Sequence, residues 1–197
     1  MLSIVVPFRA GKRRVDAPDE VRATLALAML ADVLAACAVV GRTLLVTGDA
    51  AARAIADDLG AEVVDDPGGG QGAAVAAGLR HVGEGPVLDV NADVPCVVPH
   101  DLRTLAGTAE LDALGLVEAD DGTTNALALP RAGLFAPLYG PGSADRFRAH
   151  GAEHGVPAVA AAIPNLADDV DTLDDVRRVV LRAGPRTQAA LGLAATL

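Results

Sequence analysis

The stretch Pro86-Val-Leu-Asp-Val-Asn-Ala-Asp-Val-Pro95 decides how this chain is organised. Its apolar run from Val87 to Val90 stands between Gly85-Pro86 and Pro95, which predicts a short strand buried on both faces of a parallel sheet. Open parallel sheets bind ligands beyond the carboxyl ends of their strands, and Asp93 falls at that end. A carboxylate in this place can hold a divalent cation beside a phosphate, or it can simply cap the turn before a helix.

On either side of this strand, short apolar runs alternate with segments in which apolar residues recur at helical spacing. The predicted strands are residues 2–7, 42–47, 62–65, 87–90, 114–117, a strand that ends at 129, and 156–163. The predicted helices are residues 18–37, 50–59, one that follows Gly72 and runs to about 80, 99–108, 144–150 and one that begins near 173. This alternation predicts a single-domain α/β fold for residues 1–197, with a mostly parallel, twisted, Rossmann-like sheet flanked by helices.

The composition limits the classes of partner. Of the 197 residues, 51% are hydrophobic, and three phenylalanines, one tyrosine and no tryptophan leave no aromatic set for base stacking. The net charge of −10 argues against nucleic acid and anionic membranes as partners. Basic residues near an anionic substrate must therefore be local exceptions.

The cellular setting follows from the cysteines and the N-terminal sequence. Cys37 and Cys96 form neither a CxxC motif nor a metal-ligand spacing, which indicates a reduced, cytoplasmic setting. The sequence begins with a strand instead of a charged leader and an apolar segment, so we expect no secretion signal. Asp32 and Arg42 interrupt the longest apolar segment, and for this reason we expect no membrane span.

Basic residues cluster directly after the first predicted strand, where residues 8–15 include Arg9, Lys12, Arg13 and Arg14. In a chain this acidic, the cluster suggests an anion site, although a run of charges is more often a solvated loop. The loop would leave the sheet at the same edge as Asp93, which favours the anion site.

Two glycine-rich loops precede predicted helices. Pro67-Gly-Gly-Gly-Gln-Gly72 would let backbone N–H groups approach a phosphate or a base edge, because glycine has no Cβ. Residues 68–73 also match G-x-G-x-x-A with Asp89 about twenty residues further on, but that dinucleotide fingerprint belongs to the first strand of a βαβ unit, and this loop follows the third. The second loop, Tyr139-Gly-Pro-Gly-Ser143, would place Ser143 at a helix N-cap that can bind an anion.

Polar residues also follow or precede the other predicted strands. The turn of residues 120–126 carries hydroxyls and an amide that can hold an oxyanion or merely close the turn. Asp169 and Asp171 are two apart, so their side chains share one face of an extended segment, and a cation would relieve their repulsion. The alternative is an acidic segment that favours the dipole of the following helix, for which residues 172–175 are suited.

Together these motifs resemble those of 2-phospho-L-lactate or phosphoenolpyruvate guanylyltransferases, which act in making coenzyme F-420. The resemblance runs almost end to end and rests on Val6-Pro7 with Lys12 and Arg14, Asp93-Val-Pro95, Thr123-Thr-Asn-Ala126, Tyr139-Gly-Pro-Gly-Ser143 and Asp169-Val-Asp-Thr172. Three features depart from the family pattern: a shortened basic loop with Arg13 in place of a small hydroxyl residue, Thr123 in place of a glycine, and Gly72 in place of an Asn near the base.

The resemblance implies a nucleotidyltransferase of the glycosyltransferase-A type, similar in fold to nucleotide-diphospho-sugar transferases. The implied reaction joins GMP from GTP to the phosphate of a small phospho-acid (phosphoenolpyruvate, 2-phospho-L-lactate or 3-phosphoglycerate) and releases pyrophosphate. Such a reaction depends on in-line positioning and on Mg²⁺, the implied cofactor, to neutralise charge on the phosphates. The product would pass to a downstream transferase, and a homodimer is compatible with the sequence.

The resemblance also implies a role for each residue of the site. Asp93, Asp169 and Asp171 are expected to hold Mg²⁺. The expected catalytic residues are Asp93, Lys12 and Arg14, of which the two basic residues bind the triphosphate. The acceptor is expected at Thr124, Gly140 and Ser143, and the residues expected to border the nucleotide are Pro7, Phe8, Arg9, Lys12, Gly69, Gly70, Gln71 and Gly72.

Two other functions fit the same residues. A related nucleotidyltransferase could use another acceptor, such as a molybdopterin or a sugar phosphate, and a nucleotide-binding or regulatory domain could keep the fold without catalysis. The presence of all three aspartates argues against the second alternative, because binding alone does not require that constellation.

Overall fold

The computed structural model describes residues 2–9 and 18–194, and within these ranges it contains seven strands and eight α-helices. The strands are β1 (Ser3–Pro7), β2 (Arg42–Thr47), β3 (Glu62–Asp65), β4 (Val87–Val90), β5 (Leu114–Glu118), β6 (Thr124–Leu129) and β7 (Ala158–Ala160). The helices are α1 (Asp19–Ala38), α2 (Ala50–Leu59), α3 (Gln71–Leu79), α4 (Pro99–Glu110), α5 (Ser143–Glu153), α6 (Pro164–Ala167), α7 (Leu173–Val179) and α8 (Pro185–Ala194).

The strands form one sheet in the order β3-β2-β1-β4-β6-β5-β7. β6 pairs antiparallel with both β4 and β5, and the other neighbouring strands pair in parallel. The prediction of an α/β fold with a mostly parallel sheet is confirmed. Because β6 is reversed, its first residues lie at the same edge of the sheet as the last residues of β1 and β4, and this edge carries the site.

Small residues let the helices pack closely on the sheet, as the Ala- and Val-rich composition suggests. Gly78 of α3 faces β1, and a Cβ at this position would lie 2.5 Å from Val5 Cγ1. Buried side chains cover both faces: Ile4 and Leu88 belong to one apolar cluster, and Val5 and Phe147 belong to the other. The central strands are therefore rigidly enclosed, and the polar residues at their ends are held in place with them.

Helix α1 is long and apolar enough, at a mean hydropathy of 1.8, to cross a membrane by length and composition, contrary to the expectation from Asp32. In the folded chain, 56% of its most apolar window is buried inside the protein, as in a core helix. Asp32 is itself buried and accepts hydrogen bonds from the backbone N–H groups of Arg186 (3.2 Å) and Thr187 (2.8 Å) at the start of α8. The residue thus holds the C-terminal helix on α1.

Two elements have a boundary that differs from the sequence prediction by three residues. The last strand is only three residues long instead of residues 156–163, because Pro164 begins α6 and Ile163 N–H already bonds to the carbonyl of Ala161. Helix α5 continues past residue 150 to Glu153 and ends before Gly155, whose φ of +67° is in the left-handed region.

Candidate active site

A cleft of about 220 Å³ opens at the carboxyl edge of the sheet. It brings together residues from the end of β1, the start of α3 and the turn after β4, among them Pro7, Phe8, Arg9, Gly70, Gln71 and Asp93. The sequence predicts that all of these except Asp93 border the nucleotide. Lys12 and Arg14, the predicted triphosphate contacts, lie outside the described residues.

The glycine-rich loop forms one wall of this cleft. Gly68, Gly69 and Gly70 have φ values of +79°, +86° and +94°, a backbone conformation that glycine adopts without strain. Asp66 shapes the start of the loop by accepting the Gly68 N–H at 2.9 Å. The loop reaches α3 in this way with Gln71 as the first helical residue.

Gly72 cannot be replaced by the Asn that the resembling family has near the base. A Cβ on Gly72 would lie 2.5 Å from Pro137 Cβ, so the structure leaves no room for a side chain there. Within residues 67–72, Gln71 carries the polar side chain, and it lines the cleft.

An ion pair orients one side chain of the cleft. Arg9 Nη2 lies 2.8 Å from Asp66 Oδ2. Burial disfavours the ionised carboxyl of Asp66, but the hydrogen bonds from Arg9 and from Gly68 N–H outweigh it, and the pKa lies below its ordinary value. Arg9 thus lines the cleft with its guanidinium already oriented by a carboxylate.

Asp93, Asp169 and Asp171 meet at the edge of the cleft, each offering one carboxylate oxygen within 4.8 Å of the others. The backbone brings them together: Val170 N–H donates to the Asp93 carbonyl at 3.0 Å, and the Val170 side chain is buried. Because side chains alternate along an extended segment, burying Val170 leaves Asp169 and Asp171 on the other side. Three carboxylate oxygens are the donors that Mg²⁺ takes in proteins, so the residues present fit the implied cofactor.

The helices that follow the aspartates, α4 and α7, are capped by the side chains of Asp101 and of Thr172 with Asp175. Helix α4 is capped by Asp101, whose Oδ2 accepts the Val98 N–H at 2.9 Å, so this helix does not depend on Asp93 for its cap. Helix α7 is capped by a reciprocal pair, Thr172 and Asp175. Residues 172–175 therefore cap the helix, and Asp171 contributes to that cap with its backbone N–H, which donates to Asp175 Oδ2 at 3.1 Å.

Thr124 and Ser143, predicted to hold the acceptor, also meet. Both are buried, and Ser143 Oγ donates to Thr124 Oγ1 at 3.0 Å. Ser143 is expected at the N-cap but is the first residue of α5, because Gly142 takes the cap position with a left-handed φ of +69°. The hydroxyl therefore binds β6 instead of capping its own helix.

The predicted acceptor loop is held by a residue that the sequence analysis missed. Arg146, one turn into α5, donates hydrogen bonds of 2.6–3.2 Å to the carbonyls of Leu138, Tyr139, Gly140 and Pro141. With its carbonyls turned toward Arg146, the loop keeps one shape. No sequence pattern distinguishes this arginine from the other arginines of the surface.

A buried pair, Asp89 and Tyr139, ties the same loop to β4. The Tyr139 hydroxyl donates to Asp89 Oδ2, and Oδ1 of Asp89 has no hydrogen-bond partner among the described residues. Burial raises the pKa of Asp89 to about 7, against the opposing effect of the Tyr139 hydrogen bond, and raises the pKa of Tyr139 well above 10.0. Asp89 lies inside the sheet and cannot hold a ribose, which agrees with rejection of the dinucleotide fingerprint.

A second group of candidate metal ligands lies at the far end of α5 from Ser143. His150, Glu153 and His154 each offer one ligand atom within 4.8 Å of the others. Their spacing follows from a single helical turn, and both imidazoles already contact backbone carbonyls, of Leu134 and His150. This group takes no part in the cleft.

Comparisons with known proteins bear on what the cleft does. The model of the MobA-like NTP transferase domain matches residues 20–139. A phosphoenolpyruvate guanylyltransferase of Streptomyces scabiei is 41% identical over 95% of this chain and 94% of its own, and one of Geodermatophilus obscurus is 38% identical over 92% and 85%. A solved structure from Desulfovibrio desulfuricans G20, described as a nucleotide-diphospho-sugar transferase, has a TM-score of 0.79 over 99% of this chain and 95% of its own, at 15% identity.

The fold and the family model define a nucleotidyltransferase. The chain belongs to the phosphoenolpyruvate guanylyltransferase family, within the MobA-like NTP transferases. The resemblance drawn from the five sequence motifs is confirmed.

Proposed function

We propose that the protein transfers GMP from GTP to the phosphate of a small phospho-acid, with phosphoenolpyruvate as the first candidate and 2-phospho-L-lactate and 3-phosphoglycerate as the others. An oxygen of the acceptor phosphate forms a bond to the α-phosphorus, and the bond from that phosphorus to pyrophosphate breaks. The names of the relatives support this acceptor. The product would then enter coenzyme F-420 biosynthesis through a downstream transferase in the cytoplasm.

One observation carries the proposal: three aspartates from two distant segments converge beside a cleft lined by the predicted nucleotide residues. Asp93, Asp169 and Asp171 would hold Mg²⁺, which when bound neutralises charge on the reacting phosphates. Carboxylates this close repel one another when ionised, and a bound cation would relieve that repulsion.

The other residues bind and orient the two substrates. Pro7, Phe8, Arg9 and Gln71 border the nucleotide, and Lys12 and Arg14 are assigned to its triphosphate. Ser143, Thr124 and the N–H groups at the start of α5 would hold the acceptor anion, because a helix N-terminus attracts negative charge. Arg146 and Tyr139 fix the loop that leads into α5. Positioning of this kind supplies much of the rate in phosphoryl-group transfer.

Pyrophosphate release tests the proposal directly. Each of the four nucleoside triphosphates is combined with each of the three phospho-acids in the presence of Mg²⁺. We expect release with GTP and at least one of the three acceptors. Preference for CTP or UTP, or no release with any pair, would overturn it.

A second candidate function, nucleotidyl transfer to another acceptor such as a molybdopterin or a sugar phosphate, is favoured by the match to the MobA-like domain. The same assay with those acceptors separates the two candidates. A non-catalytic domain would release no pyrophosphate with any acceptor.

A further inference from the structure

A continuous chain of side-chain amides runs from the cleft to the aspartate cluster. Gln71 Nε2 donates to Asn91 Oδ1 at 2.6 Å, and Asn91 Nδ2 donates to Asn125 Oδ1 at 3.2 Å. Asn125 Nδ2 in turn donates to the Ala167 carbonyl at 3.0 Å and to Asp169 Oδ1 at 3.3 Å. Gln71 and Asn91 line the cleft, whereas Asn125 lies behind them and is 1% exposed.

The direction of every hydrogen bond in this amide chain is set at its buried end. The Ala167 carbonyl can only accept a hydrogen bond, so Asn125 must turn its N–H₂ group toward it, and the same group faces Asp169. Its oxygen is then left for Asn91, whose oxygen is left for Gln71. The backbone N–H of Asn91 also donates to the Asn125 carbonyl at 2.9 Å, which holds the two asparagines in register. Gln71 therefore cannot flip its amide without breaking the chain.

A fixed amide can distinguish the two purines. Guanine carries the acceptor O6 beside the donor N1–H, and adenine carries the donor N6–H₂ beside the acceptor N1. In one orientation the N–H and C=O of a glutamine amide pair with O6 and N1–H of guanine, and in the flipped orientation they pair with N1 and N6–H₂ of adenine. A glutamine that is free to flip would accommodate both bases.

We infer that Gln71, held in one orientation by Asn91 and Asn125, selects guanine over adenine in the nucleotide cleft. The inference rests on the proposed transfer from GTP. Its support is the amide chain itself, the position of Gln71 on the cleft wall, and the lack of room for any side chain at Gly72, where Pro137 closes the space. Asn91 and Asn125 act through Gln71 and are positioning residues.

Two variants test this. Gln71→Met keeps the length of the side chain but removes the amide, and should lower kcat/KM for GTP about ten- to a hundredfold while that for ATP changes little. Asn91→Ala leaves Gln71 free to flip, and should raise the use of ATP as it lowers the use of GTP. Gln188→Met, the same substitution on the exposed face of α8, is the matched control and should behave as wild type.

Calorimetric binding of GDP and ADP, without acceptor, gives a readout apart from turnover. The ratio of the dissociation constant of ADP to that of GDP should fall toward one in Gln71→Met and in Asn91→Ala. Thermal melting confirms that each variant is folded. A GTP-to-ATP preference that stays at the wild-type value in either variant overturns the inference while leaving guanylyl transfer intact. A wild-type enzyme that prefers CTP or UTP overturns the proposed function instead.

Discussion

Two parts of the carboxyl edge of the sheet, the cleft proposed for the nucleotide and the loop proposed for the acceptor, hold their polar groups by different means. On the nucleotide side, open glycine backbone leads to the cleft wall, and Gln71 on that wall is held by the amide of Asn91. On the acceptor side, the loop at residues 138–142 is closed around Arg146, and the hydroxyls of Ser143 and Thr124 are buried against each other. The proposed nucleotide side is an open cleft, whereas the side chains of Ser143 and Thr124 on the proposed acceptor side are buried.

Both parts lie at the same edge of the sheet. The amide chain ends on Asp169, and Thr124 adjoins Asn125 in β6, so both sides are anchored next to the aspartate cluster. A change on either side should affect its own substrate, and a change in the cluster should affect both.

The largest effect is expected from the shared aspartates. Asp93→Asn or Asp171→Asn should lower turnover at least about a hundredfold, because each carboxylate would help to hold the cation that neutralises the transferring phosphates. Stability should hardly fall, since the loss of one carboxylate relieves repulsion within the group. Pyrophosphate release across a magnesium titration measures the first effect, and urea unfolding measures the second.

Asp174→Asn is the matched control, because Asp174 lies three residues beyond Asp171, is largely exposed and pairs across the helix surface with Arg177. It should retain wild-type turnover. Near-normal activity of Asp93→Asn or Asp171→Asn at every magnesium concentration would show that the cluster is not the metal site.

A smaller and one-sided effect is expected on the acceptor side. Ser143→Ala removes one hydroxyl that can bind a charged group, a loss of about 1.5–3 kcal/mol, and should raise the Michaelis constant of the acceptor about ten- to a hundredfold. The constant for GTP should stay nearly unchanged. Ser3→Ala is the control, because Ser3 is the first residue of β1 and lies at the end of that strand away from the cleft. Equal increases for both substrates would mean that Ser143 supports the whole cleft.

The smallest effect on turnover, with a distinct pH signature, is expected from Asp89→Asn. The folded pKa of Asp89 is about 7, above its ordinary 3.8, so the folded state holds the proton more tightly. The stability that this carboxyl contributes is therefore present below about pH 4 and is lost as the pH rises toward 7. The asparagine side chain would still accept the hydrogen bond from Tyr139 but would not titrate.

Urea unfolding of both proteins at pH 5 and pH 8 measures this signature. Relative to wild type, Asp89→Asn should be more stable at pH 8 than at pH 5, with a change in the free-energy difference on the order of a few kcal/mol. The same difference at both pH values would show that Asp89 is ionised or neutral throughout.

Much of the fold could be predicted because the strand and helix periods are clear in this chain. The boundaries of β2, β3, β4 and α2 match the sequence prediction, and Gly60 ends α2 in the left-handed conformation expected of a C-cap. The antiparallel direction of β6 could not be derived from periodicity, since a strand pattern carries no direction. The predicted position of Ser143 was wrong by one residue because Gly142 and Ser143 are both acceptable at a cap.

The candidate site was predictable where chemistry depends on carboxylates and glycines. Asp93 follows β4 and the Asp169–Asp171 pair lies between α6 and α7, and the structure brings them together. Asn91, Asn125 and Arg146 were missed as positioning residues because their roles depend on partners 5 to 44 residues away in the sequence. A signal for Asn91 and Asn125 existed, since each adjoins or nearly adjoins a residue already assigned to the site.

The most direct test of the division between the two sides is to measure the Michaelis constants for GTP and phosphoenolpyruvate together in Gln71→Met, Ser143→Ala and the double variant. We predict that Gln71→Met impairs only the use of GTP and that Ser143→Ala impairs only the use of the acceptor. The two losses should add in the double variant, because the two residues serve different substrates. If Ser143→Ala impaired GTP and spared phosphoenolpyruvate, the two pockets would be reversed and the division would be wrong.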